Sequence, residues 1–216
     1  MSAKYHKLCY NRANAWRKLM ADGSAPPHFK PPGNDHTLGR LPGDQVIHTG
    51  SRVELVLRTT HTGAGRTRVR EVCLHPGAVI VLPVLDDGRI VMIRNRRHTV
   101  SQELLELCAG TLERDAAGNL EDPALCAARE IVEETGYAAD RIEPFGWFYT
   151  SPGILTEKMY AFVARGLRHV GQHLEEGELI QVEILDEATI RRLINENVIV
   201  DAKSIATLLK YLSRSV

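Results

Sequence analysis

A chain of 216 residues, 44% hydrophobic and 25% charged, has the composition of one ordinary folded domain or one domain with an appendage. Lys+Arg and Asp+Glu both number 27, so no net field draws the chain to nucleic acid or to an anionic membrane, and any electrostatic function must come from local clustering. The longest apolar run, "GAVIVLPVL" at 77–85, is far too short to span a bilayer, and the N-terminus carries no signal-peptide core. Cys9, Cys73, Cys108 and Cys126 lack Cys-x-x-Cys spacing and read as reduced packing residues, so a cytoplasmic location is expected.

Residues 1–45 contain "APPHFKPPGNDHTLGRLPGD", where Pro, Gly and Asn stand in place of any periodic core pattern, and read as an arm or linker. Antiparallel strands are expected over 46–75. "RVELVLRTT" alternates Val53, Leu55 and Leu57 with Glu54 and Arg58, and "TRVREVCL" follows across the Gly-containing turn "HTGAG". "AVIVLPVL" and "RIVMIRNRR" then flank Asp86-Asp87-Gly88 and read as a second hairpin.

Residues 122–135 carry helix punctuation: Asp122 as N-cap, Pro123 at the first helical position and Gly136 just past the end. At about 100° per residue, Leu125, Ala128, Ile131, Val132 and Thr135 fall on one side and Glu130, Glu133 and Glu134 on the other. Strands are expected at "GWFYTS", "KMYAFVARGL" and "LIQVEIL", then helices opening at Asp186 and near Asp201 with stripes Ile190/Leu193/Ile194 and Ile205/Leu208/Leu209/Leu212. Strands, helix, strands, helices is the order of a mixed α+β sandwich, not of a doubly wound fold.

The plainest account of the three glutamates is a solvated helix face. Two considerations count against it. Glutamates four apart repel by a few tenths of a kcal/mol, and these crowd the C-terminal half, where the helix dipole disfavours negative charge. A multivalent cation reverses that balance, because Mg²⁺ takes carboxylate oxygens while keeping waters and substrate phosphates.

The run Glu121-x7-Arg129-Glu130-Ile131-Val132-Glu133-Glu134-Thr135-Gly136-Tyr137 resembles the signature of the Nudix hydrolases, Gly-x5-Glu-x7-Arg-Glu-aliphatic-x-Glu-Glu-x-Gly-aliphatic. The departure is at the front, where ten residues separate Gly110 from Glu121 and about five are inserted. Loop closure depends only weakly on length, so the insertion should leave Ala109 and Glu121 in their usual places. "VREVCLHPGAVIVLPV", "IRNRRHTVSQELLELCAG", "TSPGILTEKMYAFVA" and "EEGELIQVEIL" resemble segments of the ADP-ribose and nucleotide-sugar pyrophosphatase branch, so the resemblance runs from about residue 50 to the C-terminus.

The resemblance implies a Nudix-type α/β/α sandwich with a mixed sheet over 76–216, and a homodimer in which the 46–75 strands cross to the partner. It implies metal ligation by Glu130 and Glu134, with Glu133 assisting and the Ala109 carbonyl completing the shell, for Mg²⁺ or alternatively Mn²⁺. Arg129 would hold a glutamate in place, Glu176 would be the general base and Glu178 a neighbouring metal contact, the bland alternative for these two being a solvated acidic loop. Arg97 matches a diphosphate-binding arginine. Arg70 and Glu71 match residues that reach the nucleoside, often from the partner, while Pro152 and Glu157 belong to the substrate loop. The implied reaction is hydrolysis of ADP-ribose to AMP and ribose 5-phosphate. The alternatives are a UDP-glucose or GDP-mannose type of substrate, or a catalytically silent nucleotide-sugar-binding protein; no nucleic-acid or membrane partner is implied.

Overall fold

The computed structural model describes residues 39–61, 63, 65–174 and 177–214, so most of the expected arm, Cys9 and Glu176 lie outside the described residues. The first three strands, β1 (Gln45–Thr49), β2 (Glu54–His61) and β3 (Thr67–Leu74), form an antiparallel sheet in which Glu54 faces Leu74 and His61 faces Thr67. The β2–β3 hairpin forms as expected, but the alternation does not pick its buried face: Val53, Leu55 and Leu57 are half-buried, and Val56, on the side of Glu54 and Arg58, is the buried one. Val56 and Leu74 are its buried apolar side chains, whereas Val46, Ile47 and Val69 are exposed, so this sheet contributes little to the core.

The body is built around β4 (Ala78–Pro83), buried at every position. It pairs in parallel with β9 (Lys158–His169) and antiparallel with β7 (Ala109–Thr111), and β8 (Tyr137–Tyr149) closes the far side in the order β7-β4-β9-β8. Successive β4 side chains serve opposite faces, as the two-residue strand period requires. Ala78, Ile80 and Leu82 join a core capped by Ile190 of α2 (Glu187–Asn195) and by Leu208 and Leu212 of α3 (Ala202–Leu212). Val79 and Val81 join a second core with Cys126, Ala127 and Ile131 of α1 (Pro123–Thr135). The result is an α+β fold with helices on both sides of a mixed sheet, and none of the described helices is long and apolar enough to cross a membrane.

The expected hairpin across Asp86-Asp87-Gly88 forms its turn but not its ladder. The Leu85 N–H donates to Arg89 O and the Gly88 N–H to Leu85 O, both at 2.9 Å, and pairing stops at the bridge Val84↔Ile90. Both edges of β4 are taken by β7 and β9, so β5 (Ile90–Arg97) leaves for a second sheet, between β10 (Ile180–Leu185) and β6 (Gln102–Glu106). Strand β8 begins at Tyr137, earlier than the apolar run suggests, because its charged first half pairs with the far end of β9. Leu209 is exposed, off the stripe expected of it, and Ser204 and Thr207 are buried instead.

Helix α1 begins and ends where its punctuation places it. Asp122 accepts the Ala124 N–H at 2.8 Å, Pro123 opens the helix, and Gly136 adopts φ 73° while donating its N–H to Val132 O. Only glycine fits that end. A Cβ on Gly136 would meet the backbone at Gln172 N and Gly171 C, both 2.9 Å away, on top of the left-handed backbone conformation. The inserted residues fold into a small hairpin held by the Arg114↔Leu120 bridge and by Asp115 Oδ1, which accepts from the N–H groups of Ala117 and Asn119.

Candidate active site

A cleft of about 940 Å³ opens beside the acid side of α1, and residues from β2, β5, β6, β7, α1, β9 and the start of α3 line it. The solvated-face account of that helix does not hold: Glu130 is 9% and Glu134 4% exposed. Ile131 and Val132 of α1 sit in a core with Cys126 and Ala127, whereas Leu125 and Ala128, expected beside them, are half-buried outside it; the acid side lies in the cleft wall.

Burying carboxylates requires partners. Arg129 supplies most of them, with Nη1 2.7 Å from Glu130 Oε1 and 2.9 Å from Glu133 Oε2, and Nη2 3.1 Å from Glu121 Oε2. Glu134 instead accepts the Ala109 N–H at 2.9 Å, which fixes it to β7. One arginine cannot neutralise this group. Burial, opposed by Arg129 and reinforced by Glu133, raises the Glu130 carboxyl to about 7; burial and the charge of Glu130 raise Glu134 to about 8. Arg129 itself is held above its ordinary value, since the Glu121 hydrogen bond and the Glu130 charge outweigh burial.

The chemistry of the donors suits a hard divalent cation: carboxylate oxygens, in a walled cleft, with surplus negative charge. No group of three or more His, Cys, Asp or Glu side chains among the described residues is already disposed around one metal position, and Arg129 stands between Glu130 and Glu133. A second fitting feature is Gly110, whose missing Cβ would lie 1.8 Å from Glu130 Oε1. The space that carboxylate occupies exists because residue 110 has no side chain.

The structure brings Ala109, Arg129, Glu130, Glu133, Glu134, Arg97, Glu157 and Glu178 to this cleft. Glu178 is close enough for its charge to oppose ionisation of Glu134. Glu157 accepts the Thr150 hydroxyl at 2.5 Å and lies 3.5 Å from His75 Nε2; burial holds that imidazole below its ordinary pKa, against the pull of Glu157. Arg70, Glu71 and Pro152 are exposed and do not line the cleft of their own chain. Arg97 reaches it with two guanidinium nitrogens already given to Glu106, at 2.8 and 2.7 Å.

Arg52, Glu106 and Lys203 are among the charged cleft residues that the sequence patterns do not single out. Glu106 has a detectable signal, a single acid inside the apolar run "LLELC". Lys203 follows the N-cap Asp201 by two positions and looks like any first-turn lysine. Arg52 sits in an irregular stretch before β2, where no period marks it.

The NUDIX domain family model matches residues 74–208. The chain is 33% identical over 162 residues to an ADP-ribose pyrophosphatase of Bacillus subtilis, covering 74% of this chain and 85% of that protein. It is 36% identical over 177 residues to the methanol dehydrogenase activator of Bacillus methanolicus, covering 78% and 92% respectively. A crystal structure of an ADP compounds hydrolase superposes with a TM-score of 0.69 at 19% identity, over 88% of this chain and 96% of that one, a likeness of fold.

Gly110→Ala should push the Glu130 carboxylate from its seat while leaving both cores intact. Calorimetric titration with a divalent cation is expected to show binding weakened by about 10–100-fold, the range for disturbed support of a metal ligand. Binding equal to wild type would show that Glu130 has no part in holding the cation.

Proposed function

The chain belongs to the NUDIX family, and from that membership we propose that it is a Mg²⁺-dependent, cytoplasmic pyrophosphatase cleaving ADP-ribose to AMP and ribose 5-phosphate. The observation that carries this reading is the pair of buried glutamates, Glu130 and Glu134, buttressed by Arg129 and the Ala109 N–H at the wall of a cleft large enough for a dinucleotide-sized ligand. The name of the Bacillus subtilis relative supplies the substrate class.

In this reading Glu130 and Glu134 hold the cation, with Glu133 assisting and the Ala109 carbonyl as a further oxygen. The bound cation supplies neutralisation of phosphate charge and a more acidic water. Arg129 fixes the carboxylates in position through its contacts with Glu130, Glu133 and Glu121. Arg97 offers its remaining Nη1 to the diphosphate, since Nε and Nη2 are engaged by Glu106. Glu176 would be the general base for the attacking water, and Glu178, whose charge bears on Glu134, would be a neighbouring metal contact. Glu157, held by Thr150, is available to the sugar or ribose hydroxyls.

Arg70, Glu71 and Pro152 acquire their proposed substrate role only if a second copy completes the site. The β1–β3 sheet offers the means, because it presents exposed Val46, Ile47 and Val69 and adds little to its own core. Light scattering on the purified chain of 24.1 kDa should therefore report a dimer, and a monomer at all concentrations would contradict this part of the reading.

Incubation with Mg²⁺ and a panel of nucleotide sugars, with products separated by chromatography, should give AMP and ribose 5-phosphate in equal amounts from ADP-ribose. Glu134→Gln should lower turnover at least about 100-fold with little change in thermal unfolding. Preferred cleavage of UDP-glucose or GDP-mannose would move the specificity and keep the chemistry. Ligand-dependent stabilisation without product would make the chain a binding protein, and undiminished turnover in Glu134→Gln would remove the glutamate from the metal site.

A further inference from the structure

Glu106 is the last residue of β6 and has no exposed surface. It takes two hydrogen bonds from Arg97, Nε to Oε1 at 2.8 Å and Nη2 to Oε2 at 2.7 Å, and a third from Lys203 Nζ to the same Oε2 at 2.6 Å. One carboxylate oxygen thus sets a guanidinium and an ammonium side by side, and all three residues line the cleft. Lys203 comes from the first turn of α3, far along the chain from β6. That turn is fixed where it stands: Asp201 caps the helix by accepting the Ser204 N–H at 3.0 Å, and the Ser204 hydroxyl accepts the Leu107 N–H at 2.8 Å.

Arg97 and Lys203 balance Glu106 and Asp201 in formal charge, so what the contacts decide is where each charge lies. A lone buried Glu106–Arg97 pair would be close to neutral, leaving Arg97 weakly attractive to an anion. Lys203 shares the Glu106 charge. Its other partner, Asp201 at 2.8 Å, has its own charge met by the Ser204 N–H and hydroxyl and by the positive end of the α3 dipole. Lys203 therefore draws part of the Glu106 charge away from Arg97, which stands within reach of the Glu134 charge on α1. Stability alone does not account for the cluster, because buried ion networks gain little over apolar packing of the same volume. The join between α3 and the end of β6 is already made by the Leu107–Ser204 bond and by Leu107 and Leu208 in one core.

We propose that Glu106 and Lys203 are positioning residues for substrate: the shared carboxylate holds Arg97 in one orientation at the cleft wall, and Lys203, by taking part of the Glu106 charge, leaves the guanidinium less screened toward the diphosphate. This deepens, and rests on, the pyrophosphatase reading above. The C-terminal helix is on this account part of the binding machinery as well as a lid on one core.

Lys203→Met should raise KM for ADP-ribose about tenfold while kcat stays within about twofold, the pattern of lost binding shared by ground and transition states. Lys203→Arg, which keeps the charge, should restore most of the loss. In an Arg97→Met background the Lys203→Met change should add little, because it acts through Arg97. A lowered Tm with KM unchanged, or an undiminished effect in the Arg97→Met background, overturns the proposal. Calorimetric binding of inorganic pyrophosphate with Mg²⁺ separates this failure from failure of the parent reading. If the wild type turns over no nucleotide sugar but binds pyrophosphate in a Lys203-dependent way, the substrate assignment falls and the positioning role stands. Equal pyrophosphate affinity in wild type and Lys203→Met overturns the positioning role whatever the substrate.

Discussion

The contact on which the site depends is the fork of Arg129 against its own helix. Glu130, Glu133 and Glu134 sit in the C-terminal half of α1, where mutual repulsion and the helix dipole both work against them. Arg129 spans Glu130, Glu133 and Glu121 within 3.1 Å, so three carboxylates can stand in a cleft wall without dispersing into solvent. It leaves the group short of positive charge. That deficit, concentrated at Glu130 and Glu134, is the electrostatic condition a divalent cation relieves.

The rest of the fold keeps this helix in register with the cleft. Val79 and Val81 of the buried strand β4 give α1 its seat, while Ala78, Ile80 and Leu82 on the same strand seat the C-terminal helices. Because one strand faces both cores, the acid helix and the Asp201–Lys203 turn are referred to the same rigid element. β7 adds the closest constraint: its Ala109 N–H holds Glu134, and Gly110 beside it leaves room for Glu130. The inserted hairpin at 113–121 departs between these points and returns at Glu121, whose carboxylate still meets Arg129, so extra chain is accommodated without disturbing the acids.

Much of this is legible in the residues. Asp122, Pro123 and Gly136 mark both ends of α1 because caps act through neighbours in the chain, and Asp186 and Asp201 mark their helices for the same reason. The departure of β5 from β4 is not legible, since the Asp86-Asp87-Gly88 turn is local whereas the competition of β7 and β9 for the β4 edges is not. The acid spacing on α1 identifies the glutamates but says nothing of their burial, which depends on β7 lying alongside. The partnership of Lys203 with Glu106 is hidden for a related reason, although Glu106 itself stands out as a lone acid in an apolar run. Their pairing spans 97 residues, and neither carries a periodic or capping signal of its own.

The account turns on Glu130 and Glu134 sharing a cation in the Arg129-braced cleft. Crystals grown with Mn²⁺ and a non-hydrolysable ADP-ribose analogue, with data collected at a wavelength where manganese scatters anomalously, test this directly. The account predicts an anomalous peak within about 2.0–2.3 Å of oxygens from both glutamates, close to the range for hard divalent cations. A peak elsewhere in the cleft, or bound analogue with no peak at these carboxylates, would contradict it.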